Sequence, residues 1–118
     1  LSFPLAAAIV LGENIGTTIT ANLAALVANV HAKRAARAHF LFNFFGSIGA
    51  LLLFPGFIAL IAHTSTLFFG VNPLQDTAGV PLALCLFHTS FNFSMNIFFI
   101  FPSRTHYFLD YIRFCNII

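Results

Sequence analysis

An all-α integral membrane protein with about three transmembrane helices is the fold class this sequence predicts. Charged residues form 7% of the 118-residue chain and hydrophobic residues 59%, whereas an ordinary soluble domain carries about 25% charged residues. So few charges cannot cover a water-facing surface. Mean hydropathy is +0.94, and the uncharged run over residues 38–62 exceeds the ~20 residues that cross a bilayer as a helix. Backbone amides in lipid must bond internally, so helix is the default for every crossing.

The first span is predicted over residues 3–30, interrupted by the polar stretch GENIGTTITAN that begins at Gly12. The second is predicted over residues 38–62, with a kink at Pro55 and Gly56, because proline removes one backbone bond and clashes with the preceding turn. The third covers residues 80–101. Residues 31–37, with Lys33, Arg34 and Arg37, are read as the loop between the first two spans, and residues 64–79, with Asp76, as the loop before the third. By the positive-inside rule the first loop is cytoplasmic and the second external. Arg104 and Arg113 return the tail, residues 102–118, to the cytoplasmic side. There Tyr107, Phe108, Tyr111, Ile112, Cys115 and Ile118 recur at helical spacing, as an interfacial helix or an unordered end.

The net charge of +2 comes largely from that one short basic segment, which reads as a topological signal, so no nucleic-acid partner is expected. Cys85 and Cys115 have no metal-ligand spacing and predict no disulfide framework. The chain opens at Leu1 without a basic leader region, and reads as a piece of a longer chain.

Polar residues at membrane depth each cost free energy, about 2.5 to 3.5 kcal/mol for a central Asp, unless paired or hydrated. On a helix Glu13, Thr17 and Thr20 form one stripe, and Asn14, Thr18, Asn22 and Asn29 the stripe beside it. Ile15, Ile19, Leu23, Leu26, Val27 and Val30 take the opposite side. Glu13 is therefore expected to face protein or water, and the helix to line something polar. Gly12 and Gly16 bracket Glu13, Asn14 and Ile15 and predict a break there, the device by which secondary transporters present backbone groups to ions. Helix packing through small and hydroxyl residues is the competing reading.

The run GENIGTTITANLAALVAN, followed by AKRAARAHFLFNFFG, is similar to the type II sodium-dependent phosphate cotransporters, specifically their bacterial members. That family is built from inverted repeats, each pairing a QSSS-bearing re-entrant hairpin with a broken helix that carries a G-x-N-x-G-T-[ST]-x-T block. Gly12, Asn14, Gly16, Thr17, Thr18 and Thr20 match the block position for position. The resemblance implies that residues 1–101 are the later part of one repeat, with the QSSS segment and the partner repeat in the remainder of the transporter. It implies sodium coordination by Glu13, Asn14, Thr17 and Thr20, and it carries no recognisable match into the tail. Family members commonly have a small residue where this chain has Glu13. Phosphate would be held by the amides and hydroxyls at Gly16, Thr17 and Thr18, at a half-helix N-terminus after the break.

A second pattern repeats in the later spans: HFLFNF from His39 and HTSFNF from His88, both H-x-x-F-N-F. His39 with Asn43, and His88 with Asn92, share a helix face at i, i+4. They are expected to make polar contacts between helices, in preference to a proton relay or a metal site, which would want further ligands.

The expected function is sodium-coupled symport of inorganic phosphate by alternating access in a bacterial inner membrane. Sodium is then a co-substrate, no other cofactor or enzymatic activity is expected, and the partners are phosphate, sodium, the bilayer and the rest of the transporter. The alternatives are a membrane metalloenzyme using His39 and His88 with Glu13 as acid or base, and a noncatalytic helical subunit. If Lys33, Arg34 and Arg37 are cytoplasmic, a cysteine placed at Ala36 will resist an impermeant thiol reagent applied outside intact cells; labelling from outside would reverse the topology.

Overall fold

The computed structural model describes residues 1–100, so the expected tail lies outside the described residues. The elements are α1 (Phe3–Ala25), α2 (Val30–Leu52), α3 (Phe54–Phe69), a single 3-10 turn (Thr77–Gly79) and α4 (Val80–Ile100). Every element among the described residues is helical, as the composition requires. By itself α1 is long and apolar enough to cross a bilayer, while α2 and α3 qualify only when taken together across a bend of 84°. These features are compatible with a helical membrane protein. Over its described residues α4 is not among the candidate crossings.

Three sequence expectations are corrected. The helix is unbroken from Phe3 to Ala25, through Gly12 and Gly16. Glycine costs a helix roughly 0.5–1 kcal/mol relative to alanine, but the unbroken ladder of backbone bonds is retained here. Thr17 and Thr20 add their own bonds, to the carbonyls of Glu13 and of Gly16.

The basic segment is helix, not loop: α2 begins at Val30, and the turn before it is confined to residues 26–29. Ala32, Ala35, Ala36 and Ala38 with the lysine and arginines are strong helix formers. Asn29, counted from sequence with the polar face of α1, instead caps α2, its side chain accepting from the Ala32 amide at 2.9 Å.

The kink at Pro55 becomes a full change of direction. Leu53 leaves the helical region at φ −100°, ψ 12°, and Pro55 begins the next helix where its missing amide is tolerated. The second span is therefore two helices, and α3 runs on to Phe69 through residues expected to be loop. Gly70 ends it at φ 70°, a left-handed conformation that glycine adopts without a Cβ penalty. The Ser65 hydroxyl then donates to the Val71 carbonyl at 2.9 Å, tying the following turn to the helix.

Helices α1 and α2 form an antiparallel hairpin with one register. The Asn22 amide donates across it to the Ala36 carbonyl at 2.8 Å, and the Ser47 hydroxyl to the Leu11 carbonyl at 3.4 Å. Small residues permit that approach: Ala6 and Ala7 on α1, and Gly46, Ser47 and Ala50 on α2, are all buried. The apolar core lies at the base of the hairpin, where Phe3, Leu11, Ala50, Ile58, Ile61, Phe87 and Phe91 cluster. Phe87 sits edge-on to Phe3 and 4.7 Å from Phe57 between ring centroids.

A side chain at Gly46 would meet the Met95 sulfur at 2.5 Å and the Phe91 ring at 3.3 Å, whereas Gly49 faces open space. Gly46→Leu is therefore expected to destabilise the chain by about 1–3 kcal/mol through overpacking, and Gly49→Leu to change it by less than about 1 kcal/mol. Denaturant midpoints in mixed micelles check the difference.

Candidate functional site

The polar block of α1 faces two ways. Thr18 is fully buried, its hydroxyl donating to the Ile15 carbonyl at 2.7 Å. Asn22, one turn on, donates to the Thr18 carbonyl at 2.9 Å as well as to Ala36. This stripe joins α1 to α2. The neighbouring stripe, Glu13, Thr17 and Thr20, is exposed.

On that open side, Val10, Glu13, Asn14 and Thr17 of α1 face Leu84, Cys85 and His88 of α4 across a cleft of about 350 Å³. The cleft exists because Phe87 and Phe91 carry one face of α4 into the core, which leaves the adjacent face, with Cys85 and His88 one turn apart, beside α1. Both are exposed, and Cys85 is a free thiol.

The hydroxyl protons in this block are committed. Thr17 donates to the Glu13 carbonyl at 2.9 Å and, as a shared bond, to that of Asn14 at 3.2 Å; Thr20 donates to the Gly16 carbonyl at 3.1 Å. A threonine that gives its proton to its own helix presents only lone pairs outward. Thr17 therefore offers the cleft an acceptor oxygen beside the Glu13 carboxylate, a combination suited to a hard cation. The side-chain nitrogen of Asn14 is buried and has no hydrogen-bond partner among the described residues, a state that costs about 1–3 kcal/mol. An unmet donor and a row of acceptors thus adjoin one cavity.

Of the residues assigned from sequence, Glu13, Asn14, Thr17 and His88 line this cleft. Thr20 and Gly16 are exposed but outside its lining, and Thr18 lies on the buried side of the same helix. The half-helix N-terminus expected after Gly16 is not formed, because the helix continues through it.

His39 and Asn43, like His88 and Asn92, behave differently from the expected contacts between helices. The Asn43 amide donates to the His39 carbonyl at 3.0 Å and the Asn92 amide to the His88 carbonyl at 2.9 Å, both within their own helices. An amide four residues after a carbonyl reaches it without a neighbouring helix, so the local bond forms first. Cys85, for which the sequence predicted no metal or disulfide role, lines the cleft one turn before His88 on the same face, and Val10 and Leu84 complete the lining. Among the described residues no three His, Cys, Asp or Glu side chains are grouped so as to hold a metal ion.

No family model, curated protein or solved structure matches the chain.

Asn14→Leu removes the unpartnered amide while keeping its branched shape, and is expected to leave stability unchanged or raise it by about 1 kcal/mol. Asn22→Leu breaks the tie to Ala36 and should lower stability by about 1–2 kcal/mol. Unfolding titrations of both variants test this contrast, which reverses if Asn14 serves packing alone.

Proposed function

We propose that the chain is the ion-site part of a sodium-coupled inorganic phosphate symporter, embedded in a bacterial inner membrane and working by alternating access. One observation carries the reading: Glu13, Asn14 and Thr17, members of the block that resembles the phosphate cotransporters, gather on one wall of the α1–α4 cleft. The exposed apolar surface is consistent with the bilayer setting, for Leu23, Leu52, Leu53, Leu67, Phe68 and Phe93 each expose more than half their area.

In this reading the Thr17 hydroxyl oxygen, the Asn14 carbonyl oxygen and the Glu13 carboxylate hold sodium. Neutral oxygens bind an alkali cation weakly enough to release it on each cycle. Thr20 joins them when α1 opens at its glycines, a movement that frees the Glu13 and Gly16 carbonyls now occupied by Thr17 and Thr20. The same opening releases backbone amides at Gly16, Thr17 and Thr18 to receive phosphate. Gly12 and Gly16 have open space around them, so the hinge is sterically unobstructed. Bound sodium then offsets the charge of the incoming anion, and the sodium gradient drives uptake. Thr18 and Asn22 serve packing, as their burial and their bonds indicate.

Phosphate uptake against sodium concentration, measured in the complete transporter carrying this segment, tests the proposal. Thr17→Val and Thr20→Val are expected to raise the sodium requirement severalfold. Thr18→Val should lower stability by about 1 kcal/mol with the sodium curve in place. Gly16→Ala, which strengthens the helix by roughly 0.5–1 kcal/mol, should slow uptake by resisting the opening. If both valine variants keep the parental sodium curve, helix packing replaces ion binding as the role of the block.

A further inference from the structure

We propose that the groove beside the α1–α2 turn binds an anionic phospholipid, its phosphate held by Lys33 and Arg37 and an acyl chain lying along Ile19, Leu23, Leu26 and Phe40. These residues line a cavity of about 400 Å³ that is separate from the α1–α4 cleft. The inference rests on the membrane setting of the preceding section and is independent of sodium and phosphate transport.

Placement of the cations is the first argument. Lys33 sits at the end of the first turn of α2, where the positive end of the helix dipole opposes it, and Arg37 follows one turn later. Their propensity favours helix, but their charge gains nothing from the helix end. At i, i+4 they share a face, and both line the groove. The acids of the described residues, Glu13 and Asp76, are not among its lining. An anion placed between the two side chains is favoured by both charges and by the helix end, and the arginine fork suits phosphate oxygens.

The walls supply the second argument. Leu23 and Leu26 are 63% and 67% exposed, and no residue from Ile19 to Phe42 is fully buried. A free phosphate ion would satisfy the cations and leave these walls uncovered. A molecule that is anionic at one end and apolar along its length matches both features. Basic residues at a cytoplasmic boundary are how membrane proteins select anionic lipids.

Native mass spectrometry of the 118-residue chain in neutral detergent tests the site, using phosphatidylglycerol and phosphatidylcholine with identical acyl chains. Phosphatidylglycerol is expected to be retained about tenfold more. The pair Lys33→Gln and Arg37→Gln should abolish that preference while circular dichroism stays unchanged, since removing cations from the start of α2 relieves the dipole clash. Arg34→Gln, exposed and outside the groove lining, should preserve it within about twofold. Equal retention of the two lipids, an equal loss with Arg34→Gln, or displacement of the lipid by inorganic phosphate would each overturn the proposal. Flotation with neutral phosphatidylcholine vesicles separates the premises: a chain that floats without a phosphatidylglycerol preference removes the lipid site alone, and one that fails to float removes the membrane setting with it.

Discussion

The close antiparallel contact of α1 with α2 is the constraint on which the rest of the arrangement depends. Asn22 and Ser47 donate to backbone carbonyls on the opposite helix in one common register. A slip along the helices would break both bonds and drive the buried Thr18 and Asn43 out of their places. Because α1 is rotationally fixed, its polar residues are divided: one stripe holds the hairpin together, and the next is turned toward α4. The hairpin therefore sets the α1 wall of the cleft, with Glu13, Asn14 and Thr17, and the packing of α4 supplies the other wall.

Much of this was legible in the sequence because hydropathy and helical periodicity are local quantities. Helix α4 appears where the third span was predicted, and the proline at residue 55 marks a real discontinuity. The misplacements arose where two local signals disagreed. Hydropathy made the basic segment a loop, while alanine content and the Asn29 cap made it helix; the cap and propensity prevailed. The glycine pair suggested a break, yet a continuous ladder with threonine hydroxyls bonded into it holds the helix straight. Angular position on α1 separated Thr17 from Thr18 correctly, since that depends on helix geometry alone.

What periodicity could not supply was which helix stands opposite which. Cys85 and His88 come beside Glu13 only because Phe87 and Phe91 are drawn into a core with Phe3, Ala50 and Ile58. That core is assembled from residues distant in sequence, and it determines the face α4 presents. The repeated His and Asn pairs misled for the converse reason: their similarity lies within each helix, and the amides bond there.

The uneven burial along the hairpin has a mechanical consequence. Its base is clamped by Phe3, Ala7, Leu11 and Ala50, while nothing from Ile19 to Phe42 is fully buried, so it is a cantilever. Each arm is roughly 34 Å long at 1.5 Å per residue, and the Asn22 tie makes the pair bend as one beam. A lateral force on the free end, where Lys33 and Arg37 lie, acts with a long lever arm on the clamped end. Glu13 and Asn14 lie between the buried Leu11 and Thr18, where two glycines make the beam softest.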